Sequence, residues 1–123
     1  MISDSIQTGL KQEDKQGIVP RLYRLLESRR DSGRPKESYT ARLMHDGSDA
    51  ILKKIGEETT EVILAAKNGN QKEQVHEISD LCFHLLVLMV KQKIPLKDIE
   101  SELERRFGES GLAEKNRRLT GGI

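Results

Sequence analysis

The ten residues from Leu81 to Val90, LCFHLLVLMV, are apolar apart from His84. That run limits the possible folds more than any other stretch of the chain. It is too short to cross a bilayer, which takes about 20 residues of helix. Apolar side chains recur at helical spacing in the residues before it, so the spacing predicts one helix over about residues 71–91. The first half of that helix is amphipathic, and the second is apolar almost all the way round. A helix with no polar face is buried on every side. Yet a chain of 123 residues with two Tyr, two Phe and no Trp builds only a modest aliphatic core. One side of the helix is therefore expected to meet the rest of the fold and another a second subunit, most simply in a two-fold homodimer.

The other segments also read as helices. From Ile18 a helix carries Ile18, Leu22, Leu25 and Leu26 on its expected buried side, with Pro20 in the first turn. DSGRPK ends it. Ser38 caps a short helix through Leu43 and Met44. A longer one, capped by Ser48 or Asp49, runs to about Asn68, with Ile51, Ile55, Thr59, Val62 and Ala66 as its expected core stripe. Gly69 closes it in the left-handed conformation. Pro95 opens a last helix with Leu96, Ile99, Leu103 and Phe107 on one face, ended by Gly108. No segment alternates well enough to be a strand. The fold class is all-α, a bundle of about four to five helices in one domain over residues 18–118. Residues 1–17 and 119–123 are read as tails.

Chemistry concentrates between Lys53 and Asp80, KKIGEETTEVILAAKNGNQKEQVHEISD, which reads as two helices folded back across a short turn. Glu58 and Glu61 lie on the first, Glu77 and Asp80 on the second. Each pair is spaced i, i+3, about 60° apart around its axis, so both carboxylates share one side of their helix. Facing each other, the pairs repel: two unit charges ~4 Å apart at an effective dielectric near 20 interact by roughly 4 kcal/mol. Something positive is needed between them. An all-carboxylate set suits a hard divalent cation, Mg²⁺ ahead of Mn²⁺ or Ca²⁺. Spacing alone also fits a network of ordinary ion pairs, with Lys54 available to Glu58 at i, i+4.

Several function classes fall away. Twenty-one Lys and Arg against 20 Asp and Glu leave a net charge of +1, which offers no global field for nucleic acid or an anionic membrane. One cysteine, Cys82, excludes an intrachain disulfide and a Cys-rich zinc site, and is read as a small core residue. MISDSIQTGLKQEDKQ has no apolar run suited to a signal peptide, so a cytoplasmic protein is expected. HEISD lacks the second His of a zinc HExxH site, and no phosphate-loop glycine motif occurs. His84, one turn beyond Asp80, reads as a satisfied buried histidine.

SYTARL at Ser38–Leu43, KKIGEETTEVILAAKNGN at Lys53–Asn70, EISDLCFHLLVLM at Glu77–Met89 and RRFGESGLAEKNRR at Arg105–Arg118 closely resemble the phosphoribosyl-ATP pyrophosphohydrolase family. Its members are all-α, MazG-like enzymes of histidine biosynthesis. The paired E-x-x-E and E-x-x-D marks the broader MazG-like group, and the other stretches narrow it. The resemblance implies hydrolysis of 1-(5-phosphoribosyl)-ATP to 1-(5-phosphoribosyl)-AMP and pyrophosphate. It places the metal ligands at Glu58, Glu61, Glu77 and Asp80. In many organisms such a domain is fused to the cyclohydrolase of the next step; with 123 residues and one cysteine, too few for that enzyme's zinc site, the stand-alone form is expected here.

On that footing Mg²⁺ reverses the repulsion between a polyphosphate and the carboxylates. Glu57 or Glu61 is the expected general base for the attacking water. Lys53, Lys54, Arg105, Arg106 and Lys115 are expected to neutralise phosphate oxygens beyond the metal's reach. Tyr39 and Thr40 are expected to contact substrate from the loop side. The alternatives are release of pyrophosphate from another (d)NTP on the same scaffold, or a non-catalytic helical dimer that binds no divalent ion.

Overall fold

A computed structural model describes residues 16–108 and 118–119. Among the described residues five helices have defined bounds: α1 (Ile18–Ser32), α2 (Tyr39–His45), α3 (Ser48–Asn68), α4 (Gln71–Lys91) and α5 (Leu96–Phe107). No strand occurs among the described residues, so the chain is all-α. The expectations for residues 1–15, for the Ser-Gly-Leu stretch, for Lys115 and for the last residues fall outside the described part.

The α3–α4 hairpin dominates the packing. Its turn is built by Gly69, with φ +73°, and by Asn70, whose Oδ1 accepts from the Glu73 N–H at 3.1 Å. An L side chain at Gly69 would be strained in that left-handed conformation. α1 and α2 cover only the open end of the hairpin. Tyr23, Leu26, Leu43, Met44, Ile51, Phe83, Leu86, Val87 and Val90 form one core there. Side chains tie the same end to backbone carbonyls. Tyr23 Oη donates to the Ile94 carbonyl at 2.6 Å, an Arg30 guanidinium N–H to that of Val90 at 2.8 Å, and Lys91 Nζ to that of Met44 at 2.8 Å. Ser38 caps α2, its Oγ accepting from the Ala41 N–H at 3.2 Å.

Several sequence expectations need correction. Ile18 is exposed on α1, where Tyr23 and Leu26 are the buried residues. α3 starts after Gly47, at φ +100° and with no side-chain cap, while Ser48 Oγ instead accepts from Gln92 at 3.0 Å. Thr59 and Ala66 are exposed. The buried line on α3 runs through Ile51, Glu58 and Ala65, with Ile55 and Val62 half-buried. Cys82 is exposed as well. On α5, Leu96 packs against the core, but Ile99, Leu103 and Phe107 are exposed.

α4 carries two apolar stripes on opposite sides. Phe83, Val87 and Val90 are buried in the core. Val75, Ile78, Cys82, Leu85 and Met89 follow a 3-4-3-4 spacing on the other side, and all but Met89 are exposed. α3 matches this with exposed Leu52, Ile63 and Leu64. The helix is apolar all round because it has two faces to cover, and α1 and α2 cover one.

Candidate metal and phosphate site

The acidic side chains meet where the covered half of the hairpin gives way to the bare half. Glu58 and Glu61 come from the middle of α3, Glu77 and Asp80 from the facing part of α4. Glu58, Glu61 and Glu77 each offer a ligand oxygen within 4.8 Å of the others, and so do the ligand atoms of His76, Glu77 and Asp80. Glu77 belongs to both groups and joins them. Glu58 is only 5% exposed and Asp80 only 7%, a depth at which carboxylates without a counter-charge are rare.

Without a cation, hydrogen bonds among the carboxyls hold the cluster together. Burial, a hydrogen bond to Glu61 and the charges of Glu61 and Asp80 push Glu58 up to about 7. A hydrogen bond to Glu61 raises Glu77 too, followed by burial and the Glu61 charge. Glu61 moves the other way, lowered by the hydrogen bonds from Glu77 and Glu58. Glu61 is thus the ionised acceptor between two carboxyls that tend to keep their protons. Satisfaction is incomplete, because Glu58 Oε2 and Glu77 Oε2 are buried without a hydrogen-bond partner. Two orphaned carboxylate oxygens on facing helices fit a hard cation, which would replace the shared protons and use both.

The other expected site residues fall into groups. Lys54 is half-buried one turn before Glu58, and its charge helps to lower Glu61; Lys53 is exposed beside it. Tyr39 is half-buried at the start of α2, with a phenol raised by burial and by the charges of Glu58, Asp80 and Glu57. Thr40 is fully buried, and its hydroxyl has no hydrogen-bond partner. Glu57 is exposed on α3. Arg105 and Arg106 lie on α5, where both donate to Glu102 at 2.8–2.9 Å and hold its carboxyl down to about 2.

His76, whose sequence context suggests only an incomplete zinc motif, joins the site. Its Nε2 lies 3.5 Å from Asp80 and 3.8 Å from Glu77. The i, i+4 spacing of His76 and Asp80 was the available signal. A cavity of about 400 Å³ opens beside the cluster, lined by Glu61, Leu64, Ala65, Asn68, Glu73, His76 and Glu77.

A family profile described as phosphoribosyl-ATP pyrophosphohydrolase matches residues 19–107. The chain is 49% identical over 100 residues to a phosphoribosyl-ATP pyrophosphatase of Trichlorobacter lovleyi, covering 81% of this chain and 92% of that one. Against the phosphoribosyl-ATP pyrophosphatase of Leptospira biflexa it is 58% identical over 86 residues, 70% of this chain and 92% of the relative. A Clostridium botulinum protein with the same name is 46% identical over 108 residues, 87% of this chain and 96% of its own.

Proposed function

The chain belongs to the phosphoribosyl-ATP pyrophosphohydrolase family, and from that premise we propose that the carboxylate cluster of α3 and α4 is where it hydrolyses 1-(5-phosphoribosyl)-ATP to 1-(5-phosphoribosyl)-AMP and pyrophosphate. The observation that carries the assignment is the pair of buried, orphaned oxygens on Glu58 and Glu77 within a group of converging acids. Glu58, Glu61, Glu77 and Asp80 would hold Mg²⁺, with Mn²⁺ as a substitute. The bound ion supplies charge neutralisation at the phosphates and polarises them for attack.

The chain's own groups do the rest. Water adds to phosphorus as the bond to the bridging oxygen breaks, and Glu57 or Glu61 takes the water's proton. Glu61 already accepts hydrogen bonds, whereas Glu57 lies outside the ligand group. Lys54 and Lys53, one turn before Glu58, neutralise phosphate oxygens on the α3 side. Arg105, Arg106 and Lys115 serve the same end from the C-terminal part, the two arginines with Glu102 already sharing their charge. Thr40 is fully buried, so contact from the α2 side falls to Tyr39.

A substrate panel tests this reading. With Mg²⁺ present, pyrophosphate release from phosphoribosyl-ATP should far exceed release from dCTP or dUTP and should stop when the metal is chelated. Preference for a dNTP would assign the chain to a nucleotide-pool role instead.

The second apolar stripe calls for a partner, and a second copy of the chain supplies matching stripes on α3 and α4 through a two-fold axis. Ile78 is 47% exposed, so Ile78→Asp alters little within one subunit but places a charge in the middle of this contact. By light scattering, the wild type is expected at twice its 13.9 kDa and the variant at the mass of one chain. A monomeric wild type would remove the contact. No described helix is long and apolar enough to cross a membrane.

A further inference from the structure

His84 is completely buried, and a polar ring in a core needs both nitrogens satisfied. Nδ1 lies 2.8 Å from the main-chain oxygen of Asp80. A carbonyl only accepts, so Nδ1 carries the hydrogen. In the neutral ring Nε2 is then the acceptor, and 3.1 Å away it faces the hydroxyl of Tyr39. Edge-to-face contacts fix the ring, with centroids 5.1 Å from Phe83 and 6.3 Å from Tyr39. The single proton of the Tyr39 phenol is therefore committed to the histidine, and its oxygen has only lone pairs left to offer.

We propose that His84 is a positioning residue that makes Tyr39 a hydrogen-bond acceptor at the rim of the carboxylate cluster, where it receives a ribose hydroxyl of the substrate. The chemistry sets an orientation. An oxygen that can only accept turns away phosphate oxygens, which also only accept, and welcomes a sugar O–H. Phosphates then lie toward the metal ligands and Lys54, with a ribose toward α2.

The substrate half of the inference rests on the pyrophosphohydrolase reading; the proton assignment does not. Nitrogen-15 NMR of the metal-free wild type should show His84 protonated at Nδ1 and bare at Nε2, and a protonated Nε2 would overturn the proposal. In kinetics, His84→Leu should raise KM for phosphoribosyl-ATP about tenfold with kcat within about twofold, the worth of one hydrogen bond of about 1.4 kcal/mol. His84→Gln can accept through Oε1 and should restore most of that loss. Tyr39→Phe should raise KM similarly, and adding His84→Leu to it should have no further effect. Independent, multiplying effects, or an unchanged KM in a His84→Leu protein that has merely lost thermal stability, would make His84 a packing residue only. A wild type that does not turn over phosphoribosyl-ATP would remove the substrate reading, while the nitrogen-15 result still decides the proton.

Discussion

Glu58→Gln is expected to lower turnover by at least about a hundredfold while making the metal-free protein more resistant to heat. Loss of a group that only supports a metal ligand typically costs 10- to 100-fold, so loss of a ligand should cost no less. The stability gain has a separate cause. At pH 8 the folded chain must ionise a carboxyl that its surroundings hold at about 7, against 4.5 as the ordinary value. At about 1.4 kcal/mol per pKa unit this opposes folding by an amount on the order of 3 kcal/mol, and a neutral amide of the same shape removes it. In a domain of this size, 1 kcal/mol is worth several degrees of Tm. Mg²⁺ should close most of that gap. Wild type gains roughly 2.7 kcal/mol at a hundred times the dissociation constant, and the variant, with a ligand missing, gains little. Thermal scans with and without Mg²⁺, alongside pyrophosphate release, check all three effects. A variant with full turnover, or one less stable than the metal-free wild type, would take Glu58 out of the metal site.

The contrast between what was legible in the sequence and what was not has a common origin on α3 and α4. The bounds of α4, Gln71–Lys91, follow from apolar spacing and the flanking Gly69 and Asn70, and the structure reproduces them. The four acids were legible because each pair is spaced i, i+3, on one side of its own helix. The orientation of α3 was not. Its buried line through Ile51, Glu58 and Ala65 and its exposed line through Leu52 and Ile63 are both apolar enough to register. Periodicity adds the two, and the resultant points between them, at Thr59 and Ala66. A buried carboxylate adds to the error, since hydrophobicity places Glu58 outside the stripe that it occupies. Cys82 was misplaced for the same reason, being apolar on a helix whose two apolar sides have different neighbours. The Tyr39–His84 bond joins residues 45 positions apart and leaves no local pattern to read.

Mg²⁺ binding should strengthen as pH rises from 5 to 8, because the ion displaces protons that the folded cluster holds. The folded pKa of Glu58, about 7, lies above its unfolded value of 4.5. Between those limits the native state binds more protons than the unfolded state, so this group's contribution to metal-free stability is greatest below about 4.5 and is lost as pH rises through 7. Glu77 acts in the same direction. Glu61, held low, acts in the opposite sense, but its effect falls on the acid side of 4.5. His84 also opposes Glu58: burial lowers it, so its contribution is present above 6.5 and is lost as pH falls toward its folded pKa. A bare Tm profile would mix these terms. The difference between Glu58→Gln and wild type cancels His84 and should widen in favour of the variant from pH 5 to 8. With Mg²⁺ bound, Glu58 stays ionised to lower pH and the wild-type deficit closes. Calorimetric titration in buffers of different ionisation enthalpy should record proton release on Mg²⁺ binding near pH 6.5, shrinking toward pH 8. An Mg²⁺ affinity that does not change over this range would mean that the ion binds elsewhere, because no cation can enter among Glu58, Glu61 and Glu77 without expelling the protons that hold them together.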